Sequence, residues 1–340
     1  EHGQNELTIS VGINGMGRIG RCVARAIFHE GVRDIHLIAV NGPAPVDTHA
    51  HLLKYDSVHG RFEHTVEADG GDLRIAGKSV KLSHHKDPKQ IPWGAMGVDI
   101  VLECSGKFNS REAAAQHLAG GAKRVIISAP AEDADSTIVY GVNNTALKKS
   151  HQVISIGSCT TNALAPVVKV LHEAVGIESG FMTTIHAYTG DQNLVDNSHK
   201  DLWRARSAAL SMIPTSTGAA KTIGLVIPEL SGRLDGVAVR VPVPNVSLVD
   251  FTFTAARDMT KDAINAAFKK AAGGALKNIM EVSAEKLVSV DYTHTPYSSI
   301  VDLNGTYVTG RRLGRVASWY DNEWGFSCRM LDVARLWSGL

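Results

Sequence analysis

The sequence predicts an α/β protein in two parts, a doubly wound Rossmann dinucleotide-binding domain and an α+β catalytic domain with a mixed, mainly antiparallel sheet. Three observations predict it. Short β-branched runs alternate with helical patterns from Ile9 onward, a glycine-rich turn follows the first run, and after about residue 158 the runs alternate apolar with polar residues. A chain of 340 residues exceeds one typical core, and 44% hydrophobic with 20% charged residues is a globular composition.

The parallel strands are expected at Ile9 to Asn14, Ile35 to Asn41, Asp99 to Cys104, Arg124 to Ser128 and Val153 to Ile156. In the second part the strands Gly180 to Ile185, Gly236 to Val241 and Val246 to Ala255 are expected, with helices at Thr161 to Ala174 and Thr260 to Ala272. The domains are therefore expected at 9–158 and 159–325, with 326–340 forming a C-terminal helix that packs back on the Rossmann domain.

Lys and Arg number 35 against 34 Asp and Glu, a net charge of +1, so no global field recruits nucleic acid or an anionic membrane. The four cysteines, Cys22, Cys104, Cys159 and Cys328, lie far apart without paired spacing, which argues against a disulfide framework or a zinc site and for a reducing, cytoplasmic setting. The polar start E-H-G-Q-N-E-L-T has no apolar stretch and reads as neither signal nor transit peptide. No apolar run approaches the roughly 18 residues of a membrane span, so a soluble protein is expected.

Directly after the first strand stands Gly15-Met16-Gly17-Arg18-Ile19-Gly20, followed by a helix expected over Arg21 to His29. The first glycine permits the tight turn, the second lets backbone approach a pyrophosphate, the third allows close helix packing, and the helix start offers free N–H groups to phosphate. The bland reading is an ordinary glycine-rich turn, but strand, turn and helix in that order favour a dinucleotide. The second strand should end in an acid for the adenosine ribose, yet it runs Asn41-Gly42-Pro43. Without a carboxylate nothing repels a 2′-phosphate, which favours NADP or dual use; the alternative is that Asn41 or Asp47 binds the ribose and NAD still serves.

Ser158-Cys159-Thr160-Thr161-Asn162 follows a strand and opens a helix. A cysteine there meets the positive end of the helix dipole, which lowers the thiol pKa and favours the attacking thiolate. A lone cysteine is more often a small buried hydrophobe, the reading given to the other three. His186 closes a strand of the same domain and is the candidate base, although one of fifteen histidines is not selected by chemistry alone. His49 and His51 lie two apart on a helix, point in different directions and are read as structural, so no metal is expected.

Five runs occur in order: S-C-T-T-N at 158–162, H-A-Y-T at 186–189, P-T-S-T-G-A-A-K at 214–221, R-V-P at 240–242 and W-Y-D-N-E-W-G at 319–325. With N-G-M-G-R-I-G-R at 14–21 and L-K-Y-D-S-V-H-G-R-F at 53–62, the chain resembles phosphorylating glyceraldehyde-3-phosphate dehydrogenases from Ile9 to its C-terminus. The resemblance implies that Cys159 forms a hemithioacetal with glyceraldehyde 3-phosphate, that His186 acts as base, and that hydride loss to the nicotinamide leaves a thioester. Inorganic phosphate then releases 1,3-bisphosphoglycerate, a step of glycolysis or gluconeogenesis.

It also implies two anion pockets, Thr189 with Arg240 for the substrate phosphate and Ser158, Thr160, Thr217, Gly218 and Arg206 for the attacking one. For the cofactor it implies Asn14, Gly15, Gly17, Arg18 and Ile19 at the pyrophosphate turn, Ser105, Ser128 and Asn322 along the nicotinamide half, and Gly42 and Lys86 toward the adenosine. The basic stretch from Lys200 to Arg206 would lie in a loop that reaches a neighbouring subunit of a homotetramer. NAD-using members commonly carry Leu-Pro before His-Lys-Asp; Asn197-Ser198 here resembles the NADP-using members. The nearest rival is an erythrose-4-phosphate dehydrogenase, which gives its thioester to water and disrupts the Thr-Gly pair that Thr217-Gly218 keeps. A non-catalytic binding protein on this fold would not need Cys159 and His186, and no basic aromatic platform supports nucleic-acid binding.

Overall fold

The computed structural model describes residues 8–29 and 31–340, so most of the polar start lies outside the described residues. The described chain forms two compact units. One comprises residues 8–138, 144–157 and Ser327–Leu340; the other comprises Val139–Asn143 and Ser158–Phe326. Two boundary details depart from the sequence expectation: residues 139–143 cross to the second unit, and Ser158 opens that unit rather than closing the first.

The first unit holds a nine-stranded sheet. Its parallel centre runs Lys78–Ser83, Ile35–Asn41, Ile9–Asn14, Ile100–Glu103, Arg124–Ile127, Val153–Ser155 and Ser136–Thr137. Val66–Asp69 and Asp72–Ile75 extend one edge in antiparallel pairing, an extension the alternation of short apolar runs did not announce. Ile13, Val40, Val101, Leu102, Ile126 and Ile154 are buried, so the central strands are apolar on both faces, as helices on both sides require. The last helix, Trp324–Ser338, contributes its residues from Ser327 onward to this unit. Arg335 pairs with Asp34 at 2.6 Å, and the Arg124 guanidinium lies 4.9 Å from the Trp337 ring centroid.

Beneath the carboxyl ends of these strands lies a carboxylate wholly removed from water, Glu103. Asn14 Nδ2 donates to it at 2.7 Å, the Ser105 backbone N–H at 2.9 Å and the Ser105 hydroxyl at 2.5 Å. Trp93 Nε1 donates to His117 Nδ1 at 3.0 Å, which makes that nitrogen an acceptor and leaves Nε2 to donate to Glu103 at 2.6 Å. A buried charge is tolerated only with such a full set of donors. The network ties the ends of two strands, and the segment that follows one of them, to the helix Arg111–Ala119.

The second unit holds a seven-stranded mixed sheet in the order Ile213–Thr215, Leu234–Val241, Ile177–Ala187, Ser247–Ala255, Leu313–Tyr320, Ser299–Thr309 and Met280–Ser283. Its pairs are antiparallel except Ile177–Ala187 with Leu234–Val241 and Met280–Ser283 with Ser299–Thr309. Leu164, Val168, Leu171, Ile223, Ile264 and Phe268 from the helices Cys159–Val175, Ala219–Val226 and Lys261–Gly273 join Phe251, Val301 and Val316 of the sheet in one core. Of these helices, the sequence pattern predicted the first and third but not Ala219–Val226.

Replacing Glu103 by Leu strands the donors of Asn14, Ser105 and His117 in an apolar setting, and each buried unpaired donor costs on the order of 1–3 kcal/mol. The expected result is a loss of about 3 kcal/mol in chemical denaturation, counting partial relaxation. An unchanged midpoint would show that the carboxylate does not hold this region together.

Candidate functional site

The strand Val153–Ser155 leads through Gly157, whose φ of +71° few other residues adopt, into the helix Cys159–Val175. Ser158 caps that helix, its hydroxyl accepting from the Thr161 N–H at 3.0 Å. Cys159 is therefore the first helical residue, two positions earlier than the sequence pattern placed the helix start.

His186 is the penultimate residue of Ile177–Ala187 and pairs in register with Arg240 of the neighbouring parallel strand. Its Nε2 lies 3.6 Å from Cys159 Sγ. Its Nδ1 lies 2.7 Å from both Ala187 O and Arg240 Nη1. A carbonyl only accepts and a guanidinium only donates, so Nδ1 can serve one of the two; with the ring proton directed at Ala187, Nε2 is left as an acceptor facing the sulfur. Arg240 Nη1 donates to the same carbonyl at 2.8 Å. Tyr320, which the sequence reading did not single out, brings its hydroxyl within 2.8 Å of both Thr160 Oγ1 and Thr184 Oγ1 and its ring against His186. Thr184 stands two residues before His186 on the same face of the strand, a juxtaposition set by sheet register.

Burial pushes the Cys159 thiol above its ordinary value, while Arg240 and the hydrogen bonds of Thr160 pull it down. The net direction is opposite to the one expected from the helix start alone. Burial, with the charges of Arg240 and Arg204, lowers His186 to about 3. The resting site is thus a thiol facing a neutral imidazole.

Arg240 is itself held below its ordinary value by burial, and its Nε has no hydrogen-bond partner although it is buried. An unsatisfied guanidinium N–H beside the sulfur is a place for an anion. Thr189 lies just past the strand of His186, its N–H 3.3 Å from Gln192 Oε1; Gln192 Nε2 is also buried without a partner. Thr217 and Gly218 open the helix Ala219–Val226, with Thr217 Oγ1 accepting from the Ala219 N–H.

Arg206 is not among these groups, contrary to expectation. Its Nε donates to Asp196 at 2.7 Å, and both side chains are exposed. The arginine of that segment that reaches inward is Arg204, whose Nε and Nη2 donate to Thr215 Oγ1 at 3.1 and 2.9 Å, while Nη1 pairs with Asp191 at 2.5 Å. Two arginines separated by one residue in a charged loop cannot be told apart by sequence; the two-residue offset decides which one faces the sheet.

In the first unit, Gly15 has φ +96° and a Cβ there would lie 2.5 Å from the Ser105 backbone, so the turn can close only with glycine. Gly17 faces open space, and the helix Arg18–Ile27 starts there without a side-chain cap. That arrangement fits a pyrophosphate against free N–H groups. Ile19 sits in this helix's first turn, and the Arg18 guanidinium forms a two-pronged pair with Asp56 at 2.5 and 3.1 Å. The Asn14 amide and both donors of Ser105 are committed to the Glu103 network, so these residues support the turn rather than offer side chains to a ligand. Ser128 donates its backbone N–H to Glu103 O.

Asn41, the alternative ribose ligand, has no capacity left. Its Nδ2 donates to Asn14 Oδ1 and His85 O, and its Oδ1 accepts from Ser83 Oγ and the His85 N–H. The same bonds hold the segment carrying Lys86 at the end of the second strand. In the second unit, Asn322 Oδ1 accepts from the Ser247 hydroxyl at 2.9 Å, which fixes its amide. Ser198 is exposed, its N–H donating to Asn197 Oδ1. No helix among the described residues is long and apolar enough to cross a membrane.

Residues 9–111 match the glyceraldehyde 3-phosphate dehydrogenase NAD binding domain, and residues 158–322 match the glyceraldehyde 3-phosphate dehydrogenase C-terminal domain. The chain is 55% identical over 328 residues to a glyceraldehyde-3-phosphate dehydrogenase of Cereibacter sphaeroides, covering 96% of this chain and 98% of the relative. The Xanthobacter flavus enzyme of that name gives the same identity and coverage, and that of Geobacillus stearothermophilus is 52% identical over 329 residues, 96% of this chain and 98% of its own. With a dinucleotide turn in one unit, a cysteine–histidine pair in the other and these likenesses along nearly the whole length, the chain belongs to the glyceraldehyde-3-phosphate dehydrogenase family.

Proposed function

We propose that this protein oxidises glyceraldehyde 3-phosphate to 1,3-bisphosphoglycerate with inorganic phosphate, using NADP in preference to NAD. The approach of Cys159 Sγ to His186 Nε2 at 3.6 Å carries the reading, because it sets a nucleophile and an acceptor for its proton side by side. Cys159 adds to the aldehyde carbon as His186 takes the thiol proton and returns one to the oxygen, giving a hemithioacetal. A nicotinamide dinucleotide, when bound, would supply the hydride acceptor, and Asn322 would hold its carboxamide. His186 removes the hydroxyl proton as the thioester forms on Cys159. A phosphate oxygen then attacks the acyl carbon and the Cys159 sulfur leaves.

Arg240 with Thr189 would bind the substrate phosphate. Ser158, Thr160, Thr217 and Gly218, with Arg204 in place of Arg206, would hold the attacking one, and the intact Thr217-Gly218 pair favours phosphorolysis over hydrolysis. Gly42 and Ser198 support NADP, each lacking a group that would exclude a 2′-phosphate. The first unit serves as cofactor domain and the second as catalytic domain. Association into a homotetramer is supported by apolar side chains on the loop from 190 to 212: Leu194, Leu202, Leu210 and Met212 are each at least 76% exposed. Near-neutral charge and cysteines that lie far apart in sequence accord with a cytoplasmic place in glycolysis or gluconeogenesis.

Reduced cofactor formation from glyceraldehyde 3-phosphate should require inorganic phosphate; equal rates with and without it would replace phosphorolysis by hydrolysis. Arg204→Gln should raise the phosphate KM about tenfold or more, the worth of one charge-assisted contact, and by more than Arg206→Gln does. The ratio of kcat/KM for NADP to that for NAD should exceed one, and a strong preference for NAD would refute the cofactor assignment. Because the Arg240 charge lowers the Cys159 pKa, Arg240→Leu should move the midpoint of iodoacetamide alkylation of Cys159 to higher pH. A midpoint that stays or falls would remove Arg240 from the electrostatics of the thiol.

A further inference from the structure

The second strand of the first unit ends at Asn41-Gly42, where a side chain on residue 42 would point from the strand end beside the dinucleotide turn. Gly15 N–H donates to Asn41 O at 2.9 Å, and a Cβ on Gly42 would stand 3.7 Å from Met16 Cβ within that turn. The space is already filled. The same Cβ would stand 2.7 Å from His49 Cε1 and 2.8 Å from His49 Nε2, so the imidazole of the helix Val46–Lys54 occupies the place of the missing side chain.

His49 is 4% exposed, and its Nε2 is buried with no hydrogen-bond partner. A buried polar atom left unsatisfied costs roughly 1–3 kcal/mol and calls for an explanation, and at a crevice edge a ligand supplies one. Arg21 is the cation that acts on the ring, and His84 Nδ1 lies 2.9 Å from Gly42 O. Burial first, and then Arg21 and the neighbouring His84, lower the His49 pKa against the Gly42 backbone, so the surroundings supply no negative charge to the ring. A phosphate would complete them.

We propose that His49 reads the 2′ position of the adenosine ribose, its Nε2–H donating to a 2′-phosphate where a carboxylate on residue 42 would exclude one. The assignment rests on the NADP reading and gives it a ligand that a search for a residue at the strand end misses, since it comes from the following helix. It also changes what a reversal of preference requires: Gly42→Asp alone would drive a carboxylate into the His49 ring.

The test is calorimetric binding of 2′,5′-ADP and 5′-AMP to the full chain. The wild type should bind 2′,5′-ADP about tenfold tighter, the worth of one hydrogen bond to a charged group. His49→Gln should abolish that preference and leave 5′-AMP binding within about twofold, with thermal unfolding as the check on folding. Gly42→Ala, whose methyl displaces the ring, should also abolish that preference and serves if His49→Gln does not fold. A preference that survives both variants overturns the His49 assignment while the NADP reading stands. Equal losses for both ligands would also overturn it, making His49 a support of the ribose pocket only. A wild type with no preference overturns both.

Discussion

The parallel pairing of Ile177–Ala187 with Leu234–Val241 is the constraint on which the reactive site depends. In a parallel ladder the register is fixed along its whole length, so placing Gly180 opposite Leu234 already sets His186 opposite Arg240. A slip of one residue would turn His186 away from Cys159 and leave the Arg240 charge without its place. The antiparallel partner on the other side, Ser247–Ala255, supplies Ser247, whose hydroxyl accepts from the Ala187 N–H and donates to Asn322. One sheet thus orients the base, the cation and an amide by the same hydrogen-bond ladder that holds the unit together.

The pair so formed is quiet at rest. Burial works on both partners toward their neutral forms, raising the thiol and lowering the imidazole. Opposing this, Arg240 stabilises negative charge at the sulfur, and its own buried Nε lacks a partner. The site therefore stores an unsatisfied positive group beside a nucleophile that is not yet charged, an arrangement that an anion would complete.

What could be read from sequence was what is local. The glycine turn after Ile9–Asn14 and the cysteine at a strand-to-helix junction are contiguous patterns, and both fall where expected. What could not be read is what long-range pairing decides. Tyr320 and Thr184 meet through three neighbouring strands, and Asn41 is consumed by contacts to residues 27 and 44 positions away. Arg204 and Arg206 differ only in which way a loop turns. The antiparallel edge of the first sheet and the helix Ala219–Val226 were missed because their apolar patterns are too short to stand out. His49 was placed by helix geometry alone, which does not show that its ring packs against Gly42 at the strand end.

The first unit is built from segments far apart in sequence. Asp34 and Arg335 are 301 residues apart in sequence, and Trp337 packs under Arg124. During synthesis most of the first unit emerges before the second, yet its segment from Ser327 onward follows the whole of the second unit. The second unit, contiguous but for residues 139–143, is complete sooner. Vectorial synthesis thus completes the second unit before the first, and the first sheet waits for its helix from Ser327 onward while the second unit is made.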